Sequence, residues 1–146
     1  MSLTFGFKDG IMAGAVGGVL WGLVSMAVNS ATGVFTPEAG LVHDTVSFAL
    51  GGVLFGAVAG GFLGAGGRAI PFRNVYARAV FTSTLVWMLL RVGGAMLSAI
   101  EPERYHVLTP ETVQGLLLSA LLGAMVAGVW SFWKGTAGEN GNTLKA

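Results

Sequence analysis

The sequence has no cysteine, four prolines and two histidines in 146 residues, and only 10% of it is charged. Without cysteine there are no disulfides, no thiolate catalysis and no cysteine-ligated zinc or iron–sulfur centre. So little charge excludes an ordinary soluble domain, in which about a quarter of residues carry charge. The net charge of +1, with no basic stripe interleaved with aromatics, offers nucleic acid nothing to hold. Catalytic patterns are equally scarce. There is no HExxH-type spacing, no nucleophile beside a base, no carboxylate pair inside an apolar run, and no strand-preceded phosphate loop. The sequence therefore leads us to expect neither an enzyme nor a cofactor or metal centre.

Long hydrophobic runs are abundant instead. Hydrophobic residues make up 53% of the chain, and four nearly uncharged stretches fall near 10–32, 43–66, 75–99 and 111–133. Each is long enough for a ~30 Å hydrocarbon core, which needs about 20 residues. Connections this short make neighbouring helices antiparallel. The expected fold is all-α: an integral membrane four-helix bundle occupying residues 1–134 as one domain. The polar residues 135–146 read as a disordered tail. The first apolar run exceeds the 7–15 residues of a signal peptide, so helix 1 is expected to be retained.

Basic residues orient the bundle. Lys8, Arg68, Arg73, Arg78, Lys134 and Lys145 lie on one side; Glu38, Asp44, Glu101, Glu103 and Glu111 lie on the other, with Arg104 their only base. Both termini are expected in the cytoplasm, in a multi-pass protein of the cell membrane of the prokaryotic inner-membrane kind. Its lipids are the first partner implied. Arg68, Arg73 and Arg78 suit anionic headgroups, and Trp130, Phe132 and Trp133 suit an interface.

Glycine supplies the clearest pattern. Gly10, Gly14, Gly18 and Gly22 form one ladder, and Gly52, Gly56, Gly60 and Gly64 form another. Residues four apart share a helix face, and small residues there let two backbones approach. Helices 1 and 2 are expected to pack ladder to ladder. Gly123, with Gly115, Ser119 and Ala127, makes a softer ladder on helix 4, so helices 1, 2 and 4 are expected in near contact with helix 3 at their border. An exposed ladder would serve a homo-oligomer or a membrane-complex partner equally well.

The chain also reads as a helical hairpin written twice. Phe7-Lys8-Asp9 answers to Phe72-Arg73-Asn74, Trp21 to Trp87, Thr36-Pro37-Glu38 to Thr109-Pro110-Glu111, and Leu54-Phe55-Gly56-Ala57 to Leu121-Leu122-Gly123-Ala124. Both halves begin on the same side, which makes the repeat parallel. Thr-Pro-Glu is a good helix start: a capping side chain, a proline at the first helical position and an acid in the first turn. In architecture, four spans with glycine ladders in the first two resemble the mitochondrial translocase family, and equally many small bacterial four-span proteins.

Arg91 is the one charge deep in a span. It lies ten residues before Glu101, or about 15 Å along a helix axis. Such a residue is costly: it faces the interior with a partner, or it is structural, snorkelling outward or holding two helices together by hydrogen bonds. Asp44, Asn29 and Gln114 lie at similar depth and with Arg91 form the candidate polar or ion site, Ser25, Ser47 and Ser119 being further candidate partners of Arg91. The role expected is non-enzymatic, a membrane subunit or scaffold working through glycine-mediated helix packing. The alternative is a small transporter or channel with Arg91 in its pathway.

Overall fold

The computed structural model describes residues 6–34, 40–66, 69–98 and 109–143, apart from the side chains of 97–98 and 135–143. These form α1 (Phe7–Thr32), α2 (Leu41–Gly66), α3 (Val75–Ser98) and α4 (Pro110–Thr143), with no strand among the described residues. All four are long and apolar enough to cross a membrane.

Local chemistry sets the ends. α1 stops at Gly33, whose φ of 65° lets its N–H reach back to the Asn29 carbonyl at 2.8 Å. Gly40 turns the chain into α2 at a φ of 98°, and its carbonyl accepts the Asp44 N–H at 3.0 Å. Ahead of α3, the Asn74 side chain accepts the Tyr76 N–H at 2.8 Å. α4 opens on Pro110, and the Thr109 carbonyl accepts from Thr112 at 2.9 Å. Thr36-Pro37-Glu38 lies outside the described residues, as do Arg68, Glu101, Glu103, Arg104 and His106.

Two boundaries differ from the sequence reading. α1 begins at Phe7 rather than near residue 10. α4 runs on to Thr143 through the stretch whose composition suggests disorder. Gly135, Gly138 and Gly141 weaken that stretch as a helix, but it holds no proline to stop one.

Packing is closest within the two hairpins. α1–α2 is the most extensive contact, followed by α3–α4, α1–α4 and α2–α3; α2 and α4 barely touch. The expected close trio of helices 1, 2 and 4 is therefore replaced by a ring in which α4 sits between α1 and α3. The buried apolar core comprises Ala13, Ala59, Leu63, Ala79, Leu122, Val126, Ala127 and Trp130. Outside it, Leu50, Leu54, Val58 and Phe62 on α2 and Leu85, Met88, Leu89 and Val92 on α3 are exposed. So broad an apolar surface suits hydrocarbon and not water.

Candidate functional site

Two features carry the sequence-derived candidates: a glycine seam and a polar end. The seam lies between α1 and α2. A methyl group built on Gly14 would fall on the Gly56 carbonyl oxygen and 3.1 Å from the Gly60 Cα. On Gly18 it would meet the Gly52 carbonyl oxygen and stand 3.2 Å from the Gly56 Cα. Gly10 faces Gly60 and Gly64 in the same way, and Gly22 faces Phe48 and Ala49. From the other side, Gly52 meets Gly18 and Gly22, Gly56 meets Gly14 and Gly18, Gly60 meets Gly10 and Gly14, and Gly64 meets Gly6 and Phe7. Every obstructing atom is backbone, so no side chain can swing away. This is the geometry in which Cα–H groups lie against facing carbonyls.

Gly123 is not on this seam. It seats against α3, where a Cβ would stand 2.5 Å from the Ala79 carbonyl oxygen, the Val80 Cα and the Ser83 hydroxyl. Gly115 also faces α3, against the Trp87 ring. α1 reaches α4 through Gly17, whose added Cβ would stand 3.1 Å from the Val126 backbone. Gly17 has no place in either ladder, and its position one residue before Gly18 was the available signal. The Trp21 indole N–H donates to the Leu118 carbonyl at 2.5 Å, and its ring meets Phe55 edge-on at 5.6 Å between centroids. Ser83 donates to the Ser119 carbonyl at 2.7 Å, tying α3 to α4.

The second feature lies at the loop end, where α1 finishes and α2 and α4 begin. Arg91 Nη2 donates to Thr112 Oγ1 at 2.6 Å, and Thr112 Oγ1 lies 3.2 Å from Thr109 Oγ1. Nothing in the sequence marks Thr112, because threonines in apolar helices satisfy themselves on the preceding turn. Gln114 is buried and accepts a 3.0 Å hydrogen bond from Thr32 on α1. Asn29 and Ser25 are also buried. Asp44 is half-buried, with one carboxylate oxygen fully enclosed. The structure thus brings Arg91 to the first turn of α4, and Gln114 to the end of α1.

Elsewhere the chemistry is sparse. Among the described residues no three His, Asp or Glu side chains gather as a metal site. A shallow groove of about 400 Å³ runs between α1 and α2, with Phe7, Ile11, Val58 and Phe62 on its walls and Gly61 among its lining. It is apolar and offers no reacting group. At the opposite end Lys134 sits 4.8 Å from the Trp130 ring centroid, and Arg78 Nε donates to the Phe72 carbonyl at 2.5 Å. No family model matches the chain, and neither the curated proteins nor the solved structures offer a match.

Proposed function

We propose that this chain is a non-enzymatic membrane subunit or scaffold: a four-helix bundle of two parallel hairpin repeats with both termini in the cytoplasm. The observation that carries the reading is the mutual burial of the two glycine ladders. Each rung of α1 lies on the backbone of α2, so the zipper closes a hairpin within one chain. It neither lines a path nor faces outward. What remains for partners is the exposed apolar surface carried by all four helices, which contacts lipid and, in a complex, another membrane helix.

Arg91 supports the same reading, because its hydrogen bond to Thr112 ties α3 to the start of α4. A transport role would need that guanidinium in a pathway. Purification of the full chain in mild detergent, alongside Gly56→Leu, tests the proposal. The expected result is a stoichiometric partner or a homo-oligomer that Gly56→Leu loses as the hairpin opens. Flux in proteoliposomes that Arg91→Gln abolishes without unfolding the protein would overturn it in favour of a transporter.

A further inference from the structure

Beside the glycine seam, the α1–α2 hairpin leaves an open groove of about 400 Å³. Its floor is a run of small residues, Ala57, Gly61 and Ala65, four apart on α2 and so on one face. Phe7 and Ile11 of α1 form one bank, and Phe62 of α2 forms the other. Phe7 and Phe62 are more than half exposed, so their rings project past the floor. Ala57 and Ala65 are eight residues apart, about 12 Å of helix at ~1.5 Å per residue. Phe7 opens α1 and Ala65 lies one residue before the end of α2. The groove therefore starts at one end of the bundle and stops short of its middle.

Its shape and chemistry select an occupant. Water does not settle among apolar side chains that offer it no polar partner. Left empty, the lining would forfeit dispersion contacts on its open side. A second helix would have to come within about 8–10 Å between axes, and the two projecting rings hold it off. A hydrocarbon chain is thin enough to lie between those rings. The ~12 Å of groove also matches most of one leaflet, which is half of a ~30 Å hydrocarbon core.

Lipid tails are as apolar as the groove, so hydrocarbon alone would choose no particular lipid. Charge makes the choice. Lys8 is exposed, follows Phe7, and is three residues before Ile11, which puts it on the α1 surface bordering the groove. Asp9 is two residues from both Phe7 and Ile11 and so faces elsewhere. Its carboxylate turns back toward Gly6, where a Cβ would stand 3.1 Å from Oδ2. The antiparallel packing brings Arg73, Arg78 and Lys134 to the same end, where Asp9 is the one acid among the described side chains.

We propose that the groove between α1 and α2 holds one acyl chain of an anionic phospholipid, with the lipid phosphate at Lys8. This site goes beyond the scaffold reading and does not depend on which protein the scaffold binds.

Native mass spectrometry tests it on the full chain, extracted in mild detergent from bilayers of equal phosphatidylglycerol and phosphatidylcholine. The wild type is expected to keep one phospholipid, phosphatidylglycerol about fivefold over phosphatidylcholine, as one basic residue near the headgroup gives. Gly61→Leu fills the groove from its floor, where the nearest atoms are the Ile11 and Phe7 side chains at 3.3 and 3.5 Å and not seam backbone. Ala65→Phe fills it from an exposed position that no core packing depends on. Both variants are expected to lose the lipid while keeping wild-type helix content. Lys8→Gln is expected to keep a lipid and lose the preference. Lipid retained at the wild-type level in both filled variants, or none on the wild type, overturns the proposal. A preference undiminished in Lys8→Gln overturns the place given to the phosphate. A dimer in place of the lipid adduct, abolished by Ala65→Phe, assigns the groove to a second copy of the chain and overturns the proposal equally.

Discussion

Replacing Gly56 by alanine adds one methyl group, and the seam leaves no space for it. The new Cβ would stand 2.8 Å from the Gly18 Cα and 3.0 Å from the Gly14 carbonyl carbon, with the Gly14 oxygen closer still. Ordinary contact needs 3.4–4 Å, so α1 and α2 must part by about an ångström or more. Because both partners are backbone in rigid helices, parting at this rung also loosens the Gly14–Gly60 and Gly18–Gly52 rungs. Overpacking costs about 1–3 kcal/mol, and backbone obstruction places this case at the upper end. Alanine returns about 1 kcal/mol of helix propensity. The net expectation is a loss of about 2 kcal/mol.

Gly51, on the same helix, provides the control. A Cβ there meets nothing within 4 Å, so Gly51→Ala should gain up to about 1 kcal/mol from propensity alone. Reversible unfolding in mixed micelles, followed by circular dichroism as the denaturing detergent fraction rises, reads both. Identical chemistry five residues apart, on two faces of one helix, should shift the midpoint in opposite directions. Equal stability of Gly51→Ala and Gly56→Ala would refute the packing argument.

Other expectations follow from single contacts. Gly123→Ala should destabilise more than Gly115→Ala in the same assay, because backbone atoms of α3 block the first while only the Trp87 side chain blocks the second. Trp21→Phe keeps the edge contact with Phe55 but loses the bond to Leu118, a cost of about 1 kcal/mol in unfolding free energy. Thr112→Val should lower stability by about 1–3 kcal/mol by stripping a hydrogen bond from a charged Arg91, whereas Thr112→Ser should stay near wild type.

Much of this structure is legible in the sequence because lipid simplifies the problem. Apolar run length marks the spans, and four-residue glycine spacing marks where backbones touch. Which helix a face touches is harder. In a helix apolar all round, no polar stripe says which side is inward, so Gly123 reads equally well as facing α1, α2 or α3. Its place against Ala79 and Val80 is a tertiary outcome. The same holds for the polar end. Arg91, Asp44, Asn29 and Gln114 share a depth, but depth alone could not divide them. The structure takes Arg91 to Thr112 and Gln114 to Thr32, through hydroxyls that composition makes look self-sufficient. Gly17 is hidden in the sequence because two ladders account for the glycines around it.

The central claim is that the two glycine ladders close on each other within one chain. Cysteines at Ile11 and Gly61 test it without touching a rung. These positions flank the seam, where a Cβ on Gly61 would stand 3.3 Å from the Ile11 side chain, within reach of a disulfide. Oxidation of the Ile11→Cys/Gly61→Cys double variant in its membrane should yield a cross-link within the monomer, seen as a faster-migrating, reducible band after denaturation. Cross-linked dimers in place of that band would place the ladders between chains and contradict the account.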